Sequence, residues 1–165
     1  MSRVHRLVFV LAGLLLALLA GVIAPFDPLK GNVRARMMAP SLQHWMGTDQ
    51  FGRDILSRVL HGARISLQIG FMVAIITALA GVLIGASSGY FRRLDGPLMR
   101  LMDAFMAFPS IILAIAVSSV LGASVINVIF ALAIAATPHT ARIVRASVMV
   151  VREMEFVEAA RALGA

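Results

Sequence analysis

The sequence predicts an all-α, polytopic membrane fold with about four transmembrane helices. Of its 165 residues, 60% are hydrophobic and only 14% charged, with a mean hydropathy of +0.92. Soluble domains average roughly 45–50% apolar and about 25% charged residues, so both departures place most of the chain in lipid. Four apolar runs approach the roughly 20 residues a helix needs to cross a bilayer. The arginines gather at the ends of those runs, where they meet headgroups and set orientation. The formal charge of +7 therefore does not signal nucleic-acid binding, and no basic stripe with interleaved aromatics occurs. With no cysteine, disulfides and thiolate metal sites are excluded.

Residues 1–24 comprise a basic arm (Arg3, His5, Arg6) and an apolar run from Leu7 that Pro25, Asp27 and Pro28 stop. A charged start and an apolar core also describe a signal peptide, whose core is usually about 7–15 residues long. This run has 18 residues, so a retained first span with its N-terminus inside is predicted.

Residues 25–65 form the one sizeable polar stretch, opening with the turn-formers Pro25, Pro28, Gly31 and Asn32. Thr48 or Asp49 is expected to N-cap a helix whose Ile55, Leu56, Val59 and Leu60 share a face. Such a helix would lie along the membrane surface and feed the next span. Thr48, Asp49, Asp54 and Ser57 are residue types that catalysis uses. No histidine or cysteine stands at a spacing that makes them a nucleophile–base set, so a structural role is predicted.

Residues 66–151 hold spans two to four. Ser66–Gly89 is the second, and Gly81, Gly85 and Gly89 repeat at intervals of four. Small residues so spaced let another helix backbone approach closely, which predicts intimate helix packing. Arg92 and Arg93 then mark an inner loop. The third span is expected over Leu98–Leu121, with Arg100 and Asp103 paired three residues apart and Pro109 kinking the helix as a possible gate. The fourth runs from Ala123 to about Ala141, and Pro138 is expected to bend it so that 141–151 turns along the inner surface. With the N-terminus inside, nine Lys and Arg fall on the inner side and six on the outer, a weak bias in the direction the rule requires.

Residues 152–165 are charged and amphipathic. At 100° per residue, Phe156, Val157, Ala160, Leu163 and Gly164 share one side, and Glu155, Glu158 and Arg161 the other. A helix built this way offers an apolar face to a partner.

Two motifs carry a family resemblance. Gly47-Thr48-Asp49-x-x-Gly52-Arg53-Asp54-x-x-Ser57-Arg58-x-x-x-Gly62-x-Arg64-x-Ser66-Leu67 resembles the segment after the first span in the C-type permease subunit of dipeptide, oligopeptide and nickel ABC importers. Glu158-Ala159-Ala160, three residues, Gly164 resembles the EAA loop of the same permeases, with Glu153, Glu155 and Phe156 in its run-in. Asp103 and Pro109 fall in register with an aspartate and proline of that family. The resemblance implies the N-terminal part of a six-span type I importer permease, cut within the EAA motif as a fragment or a truncated gene. It implies a prokaryotic inner-membrane location, a second permease subunit, two cytoplasmic ATPases that bind ATP and Mg, an extracytoplasmic solute-binding protein, and peptide or nickel as cargo. It further implies that residues 153–164 touch the ATPase.

No phosphate loop of the Gly-x-x-x-x-Gly-Lys-Ser/Thr type is present, so no ATP hydrolysis and no cofactor are expected in this chain. The four histidines are scattered, which disfavours a metal centre. A channel or secondary-transporter subunit remains an alternative, as does a truncated permease without transport activity.

Overall fold

The computed structural model describes His5, residues 24–155, Val157, Ala159 and Leu163. Up to residue 23, the predicted first span therefore lies outside the described residues. Among the described residues four α-helices follow one another: α1 (Ile55–Tyr90), α2 (Arg92–Met106), α3 (Ser110–Leu121) and α4 (Val125–Arg152), preceded by a 3-10 turn at Val33–Ala35. By length and composition α1 and α4 can each cross a membrane, and α2 with α3 makes a third candidate if that bent pair counts as one span. The chain divides into two compact units, residues 1–68 and 69–165.

In the first unit, the helix starts later than the sequence suggested. Thr48 and Asp49 stay in the preceding loop, and it is the Asp54 carboxylate that accepts the Ser57 N–H at 2.8 Å, in the manner of an N-cap. Residues 55–64 do not form a separate surface helix either. Nothing in Arg64-Ile-Ser-Leu67 interrupts helix geometry, so α1 continues through them for 36 residues.

In the second unit, two prolines behave differently. At Pro109 the helix does not kink but ends: α2 and α3 meet at 93° across Ala107, Phe108 and Pro109. Proline disfavours helical backbone at the residue before it and is tolerated at a helix start, so Phe108 leaves the helix and Pro109 begins the next. At Pro138, by contrast, α4 runs on unbroken to Arg152, and residues 141–151 do not turn aside as a separate segment. Pro138 and Thr137 are buried, and Thr137 Oγ1 donates to the Ala133 carbonyl at 2.7 Å. Phe108 is 59% exposed, so no packing there opposes the break.

A short turn closes α3 onto α4. Gly122 ends α3 at φ +91°, Ser124 Oγ caps α4 by accepting the Asn127 N–H at 3.1 Å, and Asn127 Nδ2 donates to the Leu121 and Gly122 carbonyls. From there α3 packs along α4. Apart from Met102 of α2 and Pro138 of α4, the buried described residues of this unit are small. Ala131, Ala133, Ala135 and Ala141 of α4 are buried, as are Thr77 and Ser88 of α1.

Candidate functional site

The motif in the first unit is a knot of side chain–backbone bonds. Asp49 Oδ1 accepts the N–H groups of Phe51 (2.8 Å) and Arg53 (3.0 Å), while Oδ2 accepts Arg53 Nε (2.9 Å) and Arg58 Nη1. Burial alone would raise this carboxyl, but the backbone donors and the Arg53 guanidinium outweigh it and hold its pKa at about 2. Thr48 Oγ1 donates to the Ala35 carbonyl and accepts the Met38 N–H at 2.9 Å. Gly47 and Gly52 take positive φ, +73° and +72°, and a Cβ on Gly52 would sit 1.9 Å from the Asn32 carbonyl oxygen. Both positions thus demand glycine twice over, for backbone and for space. Asp54, 2% exposed, meets His44 Nδ1 at 3.0 Å, and its pKa is likewise lowered despite burial, by the Ser57 N–H and by His44.

The His44–Asp54 contact was invisible in the spacing, yet it does not make a catalytic set. The Ser57 hydroxyl accepts the Phe26 N–H at 3.2 Å, and the second Asp54 oxygen is taken by the Ser57 N–H. Among the described residues no group of three or more His, Asp or Glu side chains could hold a metal. Gly62 has nothing within 4 Å of where a Cβ would stand, and Arg64 is exposed, so the knot ends at Arg58.

In the second unit, Gly81, Gly85 and Gly89 line the contact of α1 with α4. A Cβ at Gly81 would lie 2.6 Å from Thr140 Cγ2, at Gly85 2.5 Å from the Ala141 carbonyl oxygen, and at Gly89 2.9 Å from Val148 Cβ. One turn on, the packing becomes polar. Arg145 of α4 grips Asp95 of α2 with two bonds, Nε to Oδ1 and Nη2 to Oδ2 (2.6 Å), and Ser88 Oγ donates to the same carboxylate. Arg152 Nη1 donates to the Gly89 (3.1 Å) and Tyr90 (3.4 Å) carbonyls, which the end of α1 leaves without helical partners. A bidentate arginine fixes geometry as well as charge, so α1, α2 and α4 are clasped at one place. In the sequence Arg92 and Arg93 mark this place, and Asp95 is not singled out.

Asp103 pairs with Arg142 of α4, not with Arg100 as predicted. The local i, i+3 option loses to a cation on the neighbouring helix. Beyond Arg152 the chain leaves the helix: Glu153 and Met154 donate to the Val150 and Val151 carbonyls, both at 3.2 Å. Glu153, Glu155 and Ala159 are exposed. Val157 lines, with Tyr90, Val144, Val148, Val151 and Arg152, an apolar cavity of about 440 Å³. Phe156, Glu158, Ala160 and Gly164 lie outside the described residues.

Residues 78–165 match the family described as binding-protein-dependent transport system inner membrane component. The chain belongs to that family. Among similar proteins is a putative peptide transport system permease protein of Brucella suis biovar 1 (strain 1330), 50% identical over 156 residues, which are 92% of this chain and 53% of that protein. A dipeptide transport system permease protein of Alkalihalophilus pseudofirmus is 40% identical over 159 residues, 96% of this chain and 52% of the relative. A glutathione transport system permease protein of Escherichia coli O6:K15:H31 (strain 536 / UPEC) is 44% identical over 162 residues, 95% of this chain and 52% of the relative. The chain thus spans about half the length of the curated relatives it matches.

Proposed function

We propose that this chain is part of a permease subunit of an ATP-driven importer in a prokaryotic inner membrane, with peptides as the first substrate class and nickel as a second. The chain performs no chemistry on its cargo. It works beside a second permease subunit, two cytoplasmic ATPases that bind ATP and Mg, and an extracytoplasmic solute-binding protein. Its N-terminus is cytoplasmic. Residues 153–164 dock on an ATPase, and their displacement through the nucleotide cycle shifts the spans between inward- and outward-facing states, each favoured by its own ligands.

The observation that supports this reading best is at the end of α4. The helix that leads directly into residues 153–159 is the one Arg145 and Arg152 fasten to α1 and α2. A push on that segment would therefore reach three helices at once rather than be absorbed by one. The relatives named for peptide, dipeptide and glutathione transport support the substrate class. The test is co-expression with the neighbouring ATPase subunits. Glu158→Lys is expected to weaken their co-purification with this chain, and unchanged association together with unchanged transport would defeat the coupling role.

A further inference from the structure

The loop before α1 carries an apolar surface that the transport reading does not use. Ser41 and His44 close a tight turn, His44 N–H donating to Ser41 Oγ and Ser41 N–H to the His44 carbonyl. Within it the Trp45 indole N–H donates to the Leu42 carbonyl at 3.2 Å. The one polar atom of the indole is thereby satisfied internally, and its ring is left outward. Leu42 is 97% exposed and Trp45 73%. The turn is not loose, because Thr48 ties its base to Ala35 and Met38. Met37 is even held at φ 53°, a left-handed backbone that side chains seldom adopt, with its side chain 75% exposed. A stable fold that presents its largest apolar groups to the outside has a partner for them.

Charge identifies the partner. Between residues 28 and 48 the chain carries Lys30, Arg34 and Arg36 and no Asp or Glu. All three cations are exposed, and among the described residues none has an ion pair. Asp49, the next acid along, is fully engaged by Arg53 and Arg58. An outward indole, aliphatic side chains and unbalanced cations together match the boundary of a bilayer with anionic headgroups, where tryptophan's amphipathic ring concentrates. Lipid is also within reach, since seven residues beyond Thr48 the chain enters α1, long and apolar enough to span. We propose that the turn at residues 41–46, flanked by Lys30, Arg34 and Arg36, is an interfacial anchor that seats Leu42 and Trp45 among anionic lipid headgroups.

Trp45 is the only tryptophan, so intrinsic fluorescence reads this turn directly. The full chain is reconstituted into phosphatidylcholine vesicles with and without phosphatidylglycerol, using acyl chains brominated near the headgroup. Trp45 emission is expected to be blue-shifted, to lose most of its intensity to brominated lipid, and to resist aqueous iodide. Combining Lys30→Gln, Arg34→Gln and Arg36→Gln is expected to reduce quenching in anionic vesicles to the level seen in phosphatidylcholine alone. Moving the reporter by Trp45→Phe with Gln50→Trp, to an exposed polar position of the same loop, is expected to restore access to iodide. Two results overturn the proposal: iodide quenching of Trp45 as complete as at position 50, or a blue-shifted emission indifferent to both quenchers, which would place a second protein surface over the turn. Neither result depends on the triple variant, so the wild-type chain and the position-50 reporter decide the matter even if that variant fails to fold.

Discussion

The loop of residues 24–54 and the helices of residues 69–152 solve the same problem by opposite means. In the loop, polar side chains do the work that regular secondary structure does elsewhere. Asp49 alone accepts from two backbone N–H groups and two guanidinium groups. In the helices the backbone satisfies itself, and what matters is the side chains that are missing: Gly81, Gly85 and Gly89 leave room for Thr140, Ala141 and Val148. A hydrogen-bond knot is defeated by removing atoms, and a small-residue seam by adding them. Where the seam ends, at Ser88 and Asp95, the second region borrows the method of the first.

Adding atoms should produce the largest effect. Gly85→Val places a branched side chain where even a Cβ would lie 2.5 Å from backbone, which cannot move without shifting α4. We expect a loss of about 3 kcal/mol, the upper end of overpacking costs, in detergent-driven unfolding monitored by circular dichroism. Gly70→Val, on the same helix with nothing within 4 Å, is expected to stay within about 0.5 kcal/mol of the parent. Equal responses at the two positions would mean that α1 and α4 do not meet along this seam.

Removing atoms comes next. Asp54→Ala takes away the acceptor of the Ser57 N–H and leaves the half-buried His44 ring nitrogen unpaired. We expect a loss of about 2 kcal/mol, read as faster proteolysis of residues 24–54 with the helical signal retained. The same carboxylates set an acid limit. Because the pKa of Asp49 is held below its unfolded value of 3.8, at about 2, its contribution is full above pH 3.8 and fades as pH falls toward 2. Asp54 is shifted in the same direction. The loop should therefore resist protease down to about pH 4 and open below it. Asp49→Asn should open it already at neutral pH.

Much of this was legible because it is local. An apolar run of spanning length needs no knowledge of its neighbours, and so α1 and α4 can be found from sequence. The glycine spacing likewise states that something comes close, though not that Thr140 and Ala141 are what comes. The two prolines mark where local reasoning ends. Pro109 and Pro138 impose the same loss of an N–H, and one ends a helix while the other does not, because Pro138 is enclosed by packing and Phe108–Pro109 is not. Long-range pairs were out of reach for the same reason. Arg100 and Arg142 are equally plausible partners for Asp103 until the helices are assembled. His44 finds Asp54 only because glycines at 47 and 52 turn the loop back on itself.

The two arginine–aspartate pairs of the second unit give the finest comparison. Both join α2 to α4, eight residues apart on α2. Asp95–Arg145 is bidentate, is shared with Ser88, and has side chains only 28% and 31% exposed. Asp103–Arg142 has side chains 56% and 48% exposed and a single bond. Exposed pairs spend most of their attraction on screening and on ordering two long side chains, whereas a shared, half-buried bidentate pair keeps it. A double-mutant cycle with alanine at 95 and 145 is expected to give a coupling energy of about 1–2 kcal/mol, and the cycle at 103 and 142 about 0.5 kcal/mol or less. Arg145→Lys should behave nearly as Arg145→Ala, since an ammonium cannot make the paired contact. If lysine instead restores full stability, charge alone holds the junction, and the geometric clasp loses its basis.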